Sequence, residues 1–165
     1  MVFNAATYRK AILTPQAFAI PTVAAAFAQW NDTPHEWGQG GAGYGRRYGS
    51  FFGNRFIKGN TNFWVAKTHN EMLFYRKSNL KGTWPRMRHA IVHTWWVQHA
   101  DGTPGHTVAY GRIVGNVTAA AVSRAWMPDS RRDFSHFAAS AFTGFGFDMI
   151  TSVAREFWPW KRGRP

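Results

Sequence analysis

Gly41, Gly45, Gly49 and Gly53 recur at strict intervals of four. Residues four apart on an α-helix share one face. The spacing therefore predicts a helix with a strip bare of side chains, along which a second backbone can approach closely. Glycine costs roughly 1 kcal/mol against alanine in a helix interior, so four in register need a packing benefit to offset them. The competing reading is a glycine-rich loop. Two further ladders share the period: Gly111, Gly115 and Ala119, then His136, Ser140, Gly144, Asp148, Ser152 and Glu156. Three such ladders imply close helix crossings built from i±4 ridges. Gly41, Gly45, Gly49, Gly53, Gly111, Gly115 and Gly144 are the expected packing positions.

Local signals place these ladders in an all-α chain of about five helices. Thr14-Pro15 reads as an N-cap with proline at the first helical position. A helix follows, kinked or restarted at Pro21 and ending by Asn31. Residues 31–43 carry turn formers, and a helix then runs to about Ala66. The polar stretch 67–83 connects to a helix from Thr83-Trp84-Pro85 to about Gln98. Asp101-Gly102-Thr103-Pro104-Gly105 is a turn. Residues 107–126 form the next helix, and Ser130 or Asp133 caps a last one that ends near Trp158. The alternative is a small eight-stranded membrane β-barrel, in which Thr94 to Gln98 and His106 to Val114 flank the turn as a hairpin. Sustained period-two alternation is missing, and the alanine runs at 23–28 and 119–121 favour helix. The whole chain, 1–165, reads as a single helical domain with a basic Trp/Arg tail at 155–165.

Charge is unevenly spread. The net charge of +12 comes from 20 Lys+Arg against 8 Asp+Glu. Residues 46–88 hold ten of the cations and only Glu71, and residues 155–165 hold all of the remaining excess. Such an excess marks an anionic partner: anionic lipid, an acidic protein surface or nucleic acid. Arg46, Arg47, Arg55, Arg86, Arg88, Lys161 and Arg162 are the candidate anion- or headgroup-binding residues. Tyr44, Tyr48, Phe56, Trp64, Tyr75 and Trp84 interleave with the basic groups. That pattern suits a membrane interface, with Trp at headgroup level and Arg reaching phosphates, and equally single-stranded nucleic acid.

The apolar run Ala17 to Ala28, at about 13 residues, is shorter than the roughly 20 needed to cross a bilayer. The 107–126 and 134–154 segments come closest to a span but are interrupted by Arg112 and Arg124, or by Asp148. A helical hairpin with paired charges remains compatible with membrane entry. Asp148 is expected to pair with Arg124, Arg112 or His136. Residues 1–30 are not expected to be a cleavable secretory signal, since Pro21 interrupts the apolar run and no small-residue cleavage site follows.

No catalytic constellation is readable. The chain has no cysteine, which excludes thiol catalysis and cysteine-based metal sites. There is no nucleophile elbow, phosphate loop or dinucleotide fingerprint. His89 and His93 share a helix face at i, i+4, a spacing that suits a metal, but Ala90 stands where a hydrolytic zinc helix has its glutamate. They are weak metal candidates; no cofactor and no enzymatic activity are expected.

Four stretches carry a resemblance: Pro34 to Gly40 (PHEWGQG), Gly43 to Gly49 (GYGRRYG), Gly111 to Asn116 (GRIVGN) and Arg155 to Pro159 (REFWP). They are similar to an uncharacterised family of envelope proteins of acidobacteria. Those proteins have a secretory signal and a His-x-Asp-Pro-Arg-Tyr stretch, where this chain reads His69-Asn70-Glu71-Met72-Leu73-Phe74-Tyr75-Arg76. The resemblance implies location in the bacterial envelope, periplasm or outer membrane, and no assigned activity. Together with the charge and the ladders, it makes the expected function that of a non-catalytic, membrane-associated structural or interaction protein. It would serve as an oligomer or as an accessory subunit of a larger assembly. The alternative is a basic domain that binds single-stranded nucleic acid.

Overall fold

The computed structural model describes residues 1–158. It is all-α, with six helices: α1 (Ala5–Ile12), α2 (Pro15–Trp30), α3 (Gly40–Thr68), α4 (Thr83–Trp95), α5 (Tyr110–Ser123) and α6 (Phe134–Phe157). The short α1 is an addition to the expected set. Its signal is Asn4, whose side chain accepts the Thr7 N–H at 2.9 Å. Asp133 caps α6 as expected, accepting the His136 N–H.

The eight-stranded barrel is excluded by a helical chain whose sheet, among the described residues, has two strands, β1 (Trp96–Gln98) and β2 (His106–Val108). They form the hairpin around the 101–105 turn, with Val97 opposite Thr107. The Asp101 side chain accepts the Thr103 N–H and closes that turn. Residues 70–72 lie along the other edge of β1, where Met72 N–H donates to Gln98 and Ala100 N–H to Asn70. Helix α4 therefore stops at Trp95, and α5 starts at Tyr110, later than the pattern suggested.

Helix α3 is the spine. Helix α2 runs antiparallel to it, joined by Gln29 to Gln39 at one end and by Phe18 stacked on Phe52 at the other. Helix α5 lies antiparallel on another face of α3, and α6 packs on α5 and α4. The second and third ladders make these crossings. A Cβ on Gly111 would come within 2.8 Å of the Asn62 carbonyl oxygen, and one on Gly115 within 3.0 Å of that of Lys58. A Cβ on Gly144 would overlap the Asn116 side chain.

The first ladder behaves differently. It is helical, but Gly41, Gly45 and Gly49 have open space where a Cβ would stand, and Gly53 meets only the Trp126 ring at 3.7 Å. Their expected role as a packing strip within the chain is therefore corrected. The close approach falls instead at Gly43, against the Gly38 carbonyl and Arg47. On the flank of α3, Tyr44, Tyr48, Phe52 and Phe56 stack successively with centroids 6.0–6.5 Å apart.

The core is small and the surface large. Buried apolar residues are mostly alanine: Ala17, Ala25, Ala28, Ala66, Ala90, Ala119, Ala120 and Ala141, with Phe63 and Ile12 among the few larger ones. Phe18, Val23 and Phe27 on α2, and Phe142, Phe147 and Ile150 on α6, face outward. Two segments, Ala5–Trp30 with 26 residues and Phe134–Phe157 with 24, are long and apolar enough to cross a membrane. The first exceeds the run expected from sequence because it joins α1 to α2; it includes Arg9 and Lys10, and α2 alone has 16 residues.

Candidate functional site: a cationic cavity beside the bundle

The basic residues singled out from the sequence do not form one surface. Arg47 is completely buried. Its guanidinium donates to the carbonyls of Thr33 (2.9 Å), Gly38 (2.6 Å) and Pro34 (2.9 Å), to Gln29 Oε1 (2.5 Å) and to Asp32 Oδ1 (3.2 Å). It clamps the loop between α2 and α3 and has no capacity left for a lipid or nucleic-acid phosphate. Arg86 is likewise committed. Its Nε lies 3.0 Å from Glu156 Oε1, and its guanidinium lies over the Phe157 ring at 4.6 Å. Both are corrected from anion-binding to structural residues. Arg46 and Arg88 are exposed and Arg55 is half-buried. Lys161 and Arg162 lie outside the described residues.

Asp148 pairs with none of its expected partners. Lys58 Nζ lies 2.7 Å from Oδ1, and Asn116 Nδ2 donates to Oδ2 at 2.8 Å. His136 instead joins Asp133, and Arg124 reaches the Arg132 carbonyl. The carboxylate therefore ties α3, α5 and α6 together.

Several chemistry-bearing groups gather between residues 72–80, α4, β1 and α5. A cavity of about 350 Å³ is lined there by Tyr75, Arg76, Lys77, Ser78, His89, His93 and Arg112, with Met72, Phe74, Leu80 and Val97 as its apolar part. Each element places its residue for a reason. His89 and His93 sit one turn apart on α4, rings 4.0 Å centroid to centroid, and the hairpin brings His106 to 5.0 Å from His93. Arg112, in the first turn of α5, donates to the carbonyls of His93 (3.0 Å) and Thr94 (2.9 Å), so it caps the C-terminus of α4.

The irregular segment 75–78 is pinned from behind. Glu156, fully buried, accepts from Tyr75 OH (2.9 Å), Ser78 N–H (3.0 Å), Ser78 Oγ (2.6 Å) and Arg86. Tyr75 OH also lies 3.2 Å from His89 Nδ1. A buried carboxylate with four donors is fully compensated, so it fixes the cavity wall without adding free negative charge. Burial, and beyond it the bond to Glu156, pushes the Tyr75 hydroxyl up, so it stays protonated. Burial, with His89 and His106 alongside, brings His93 down to about 4, so it is neutral near pH 7.

No carboxylate lines the cavity, and among the described residues none lies within ion-pairing distance of Arg112. Among the described residues, no group of three or more metal-ligating side chains is arranged to hold an ion, so His89 and His93 gain no third ligand from them. The sequence offered Arg76 and Lys77 only as part of a basic run. Arg112 and Tyr75 carried no separate signal, because loop and hairpin geometry bring them together.

Fold and site define a helical bundle with an alanine-rich interior and a cationic cavity at its side. Comparison with protein-family models, curated protein sequences and solved structures gives no match to this chain.

Proposed function

We propose that this protein is a non-catalytic, membrane-associated helical protein of the bacterial envelope, acting as a structural or interaction subunit of a larger assembly. One observation carries the reading: the distribution of apolar residues is the reverse of that in a water-soluble bundle. Large apolar side chains normally go inside. Here Ala25 and Ala90 are 0% exposed, while Val23 is 69% and Phe142 73% exposed. Lipid tails are as apolar as leucine, so helices in a bilayer gain little by burying large side chains and associate through small ones. The two segments of spanning length, Ala5–Trp30 and Phe134–Phe157, carry eleven of the 26 exposed large apolar side chains among the described residues. An apolar surface this extensive calls for a lipid or protein partner. Arg46 and Arg88, exposed in the described part of the chain, suit anionic headgroups or an acidic partner surface. The envelope is the location implied by the acidobacterial resemblance.

Fractionation tests this. The expected protein stays with membranes through high-salt and alkaline washes and leaves them only in detergent. Recovery as a monodisperse soluble monomer at low salt would sink the reading. Release by salt alone, with salt-sensitive binding to single-stranded oligonucleotides, would favour the nucleic-acid alternative.

A further inference from the structure

We propose that the cavity between residues 72–80, α4 and α5 is a binding site for a small organic oxyanion, a carboxylate or phosphate carried on an apolar body. Three features of the site select this class. Its charged lining residues, Arg76, Lys77 and Arg112, are all cations, and no acidic side chain competes with an entering anion. Behind the wall, Glu156 has its oxygens occupied by Tyr75, Ser78 and Arg86, and the two other carboxylates whose charge reaches Arg112 are engaged elsewhere, Asp148 by Lys58 and Asn116 and Glu71 by the Gly111 N–H. Arg112 is the anchor. Only its Nη1 is engaged, by the His93 and Thr94 carbonyls, and that engagement holds the guanidinium in place. The planar fork matches a carboxylate or phosphate edge.

The rest of the lining gives the ligand its shape. Met72, Phe74, Leu80 and Val97 offer an apolar wall, and Ser78, Asn79 and Gln98 offer neutral polar groups. The volume of about 350 Å³ lies at the small end of ligand pockets, which run from roughly 300 Å³ upward. A single ring or short chain with one anionic group fits; a bare inorganic ion leaves the apolar wall unused. His93, neutral when the cavity is empty, is a natural reporter, because an anion beside it favours its protonated form. The inference does not depend on where the helices sit relative to a bilayer.

The test uses the full chain purified in neutral detergent and titrated calorimetrically with benzoate, phenyl phosphate, inorganic phosphate and benzylamine. Saturable binding of benzoate or phenyl phosphate is expected. Their relative affinity tells carboxylate from phosphate. Inorganic phosphate should bind more weakly and benzylamine not at all. Arg112→Gln and Arg76→Gln should each weaken binding, Arg112→Gln by about tenfold or more, with Arg9→Gln, at an exposed position on α1, unchanged. Arg76 is exposed, so its variant keeps the test open if Arg112→Gln fails to fold. The His93 ring resonance should titrate at higher pH with ligand bound. Three results would each overturn the proposal: no saturable binding of either organic anion to the folded protein, equal binding of benzylamine, or affinity untouched by both arginine substitutions.

Discussion

Asn116 Nδ2 donates to Asp148 Oδ2 at 2.8 Å, and the Asn116 side chain occupies the volume that a Cβ on Gly144 would need. The contact between α5 and α6 thus depends on a missing side chain. Gly144→Ala forces Asn116 away from Asp148, which also holds Lys58. Gly111→Ala meets backbone at Asn62, which cannot rotate aside. Each should destabilise the folded chain by roughly 1–3 kcal/mol. Gly45→Ala and Gly49→Ala meet nothing and should instead stabilise it by roughly 0.5–1 kcal/mol through helix propensity. Denaturation of the four variants in one detergent checks the sign at each site. Destabilisation at Gly45 and Gly49 equal to that at Gly111 would contradict the geometry.

Arg46 and Arg47 are adjacent in sequence and opposite in role. Arg47→Lys loses the fork that satisfies the Thr33, Gly38 and Pro34 carbonyls together. An ammonium cannot replace that fork, so the substitution should cost roughly 3 kcal/mol or more. Arg46→Gln, at an exposed position, should change stability by less than about 0.5 kcal/mol. Limited proteolysis within residues 31–39 should accelerate in the first variant alone.

These pairs show what the sequence can and cannot carry. A spacing of four places residues on one helix face but does not say which way that face turns. Gly111 and Gly115 turn toward α3, whereas Gly45 and Gly49 turn away from every neighbour, and no local signal separates the two cases. Arginines one residue apart lie about 100° apart around a helix, enough to put one inside and one outside. Caps were more legible: Thr14-Pro15 and Asp133 mark the starts of α2 and α6 because their effect is confined to one turn. The cavity was not legible at all. His93 meets His106 only because β1 and β2 pair, and Tyr75 meets Glu156 from 81 residues away in the chain.

His93 gives the fold a pH dependence of known sign. Its folded value of about 4 lies below the ordinary histidine value of 6.5. The unfolded chain therefore binds more protons between those limits, and stability rises with pH across that window. The contribution is fully present above about 6.5 and is lost as pH falls toward 4. After allowance for partial exposure it amounts to roughly 1–2 kcal/mol. His89 and His106 beside the ring and Arg112 from α5 act on it in the same direction as burial. Unfolding between pH 4.5 and 7.5 should show this slope, and His93→Gln should flatten it. A slope that survives the substitution would assign it to another group.

The outward apolar faces of α2 and α6 can be tested separately from the bundle interior. Val23 and Phe142 are among the most exposed large apolar side chains. In a water-soluble monomer, Val23→Asp and Phe142→Asp would be nearly neutral, as surface substitutions generally are. On a face covered by lipid, a carboxylate near mid-depth is penalised by roughly 2.5–3.5 kcal/mol on the insertion scale, and the double variant should move from the membrane to the soluble or aggregated fraction. Arg88→Asp alters an equally exposed position on α4, outside the two candidate spans, and should leave the protein in the membrane. Membrane retention of the double variant at the level of the unaltered protein would show that these faces do not meet lipid.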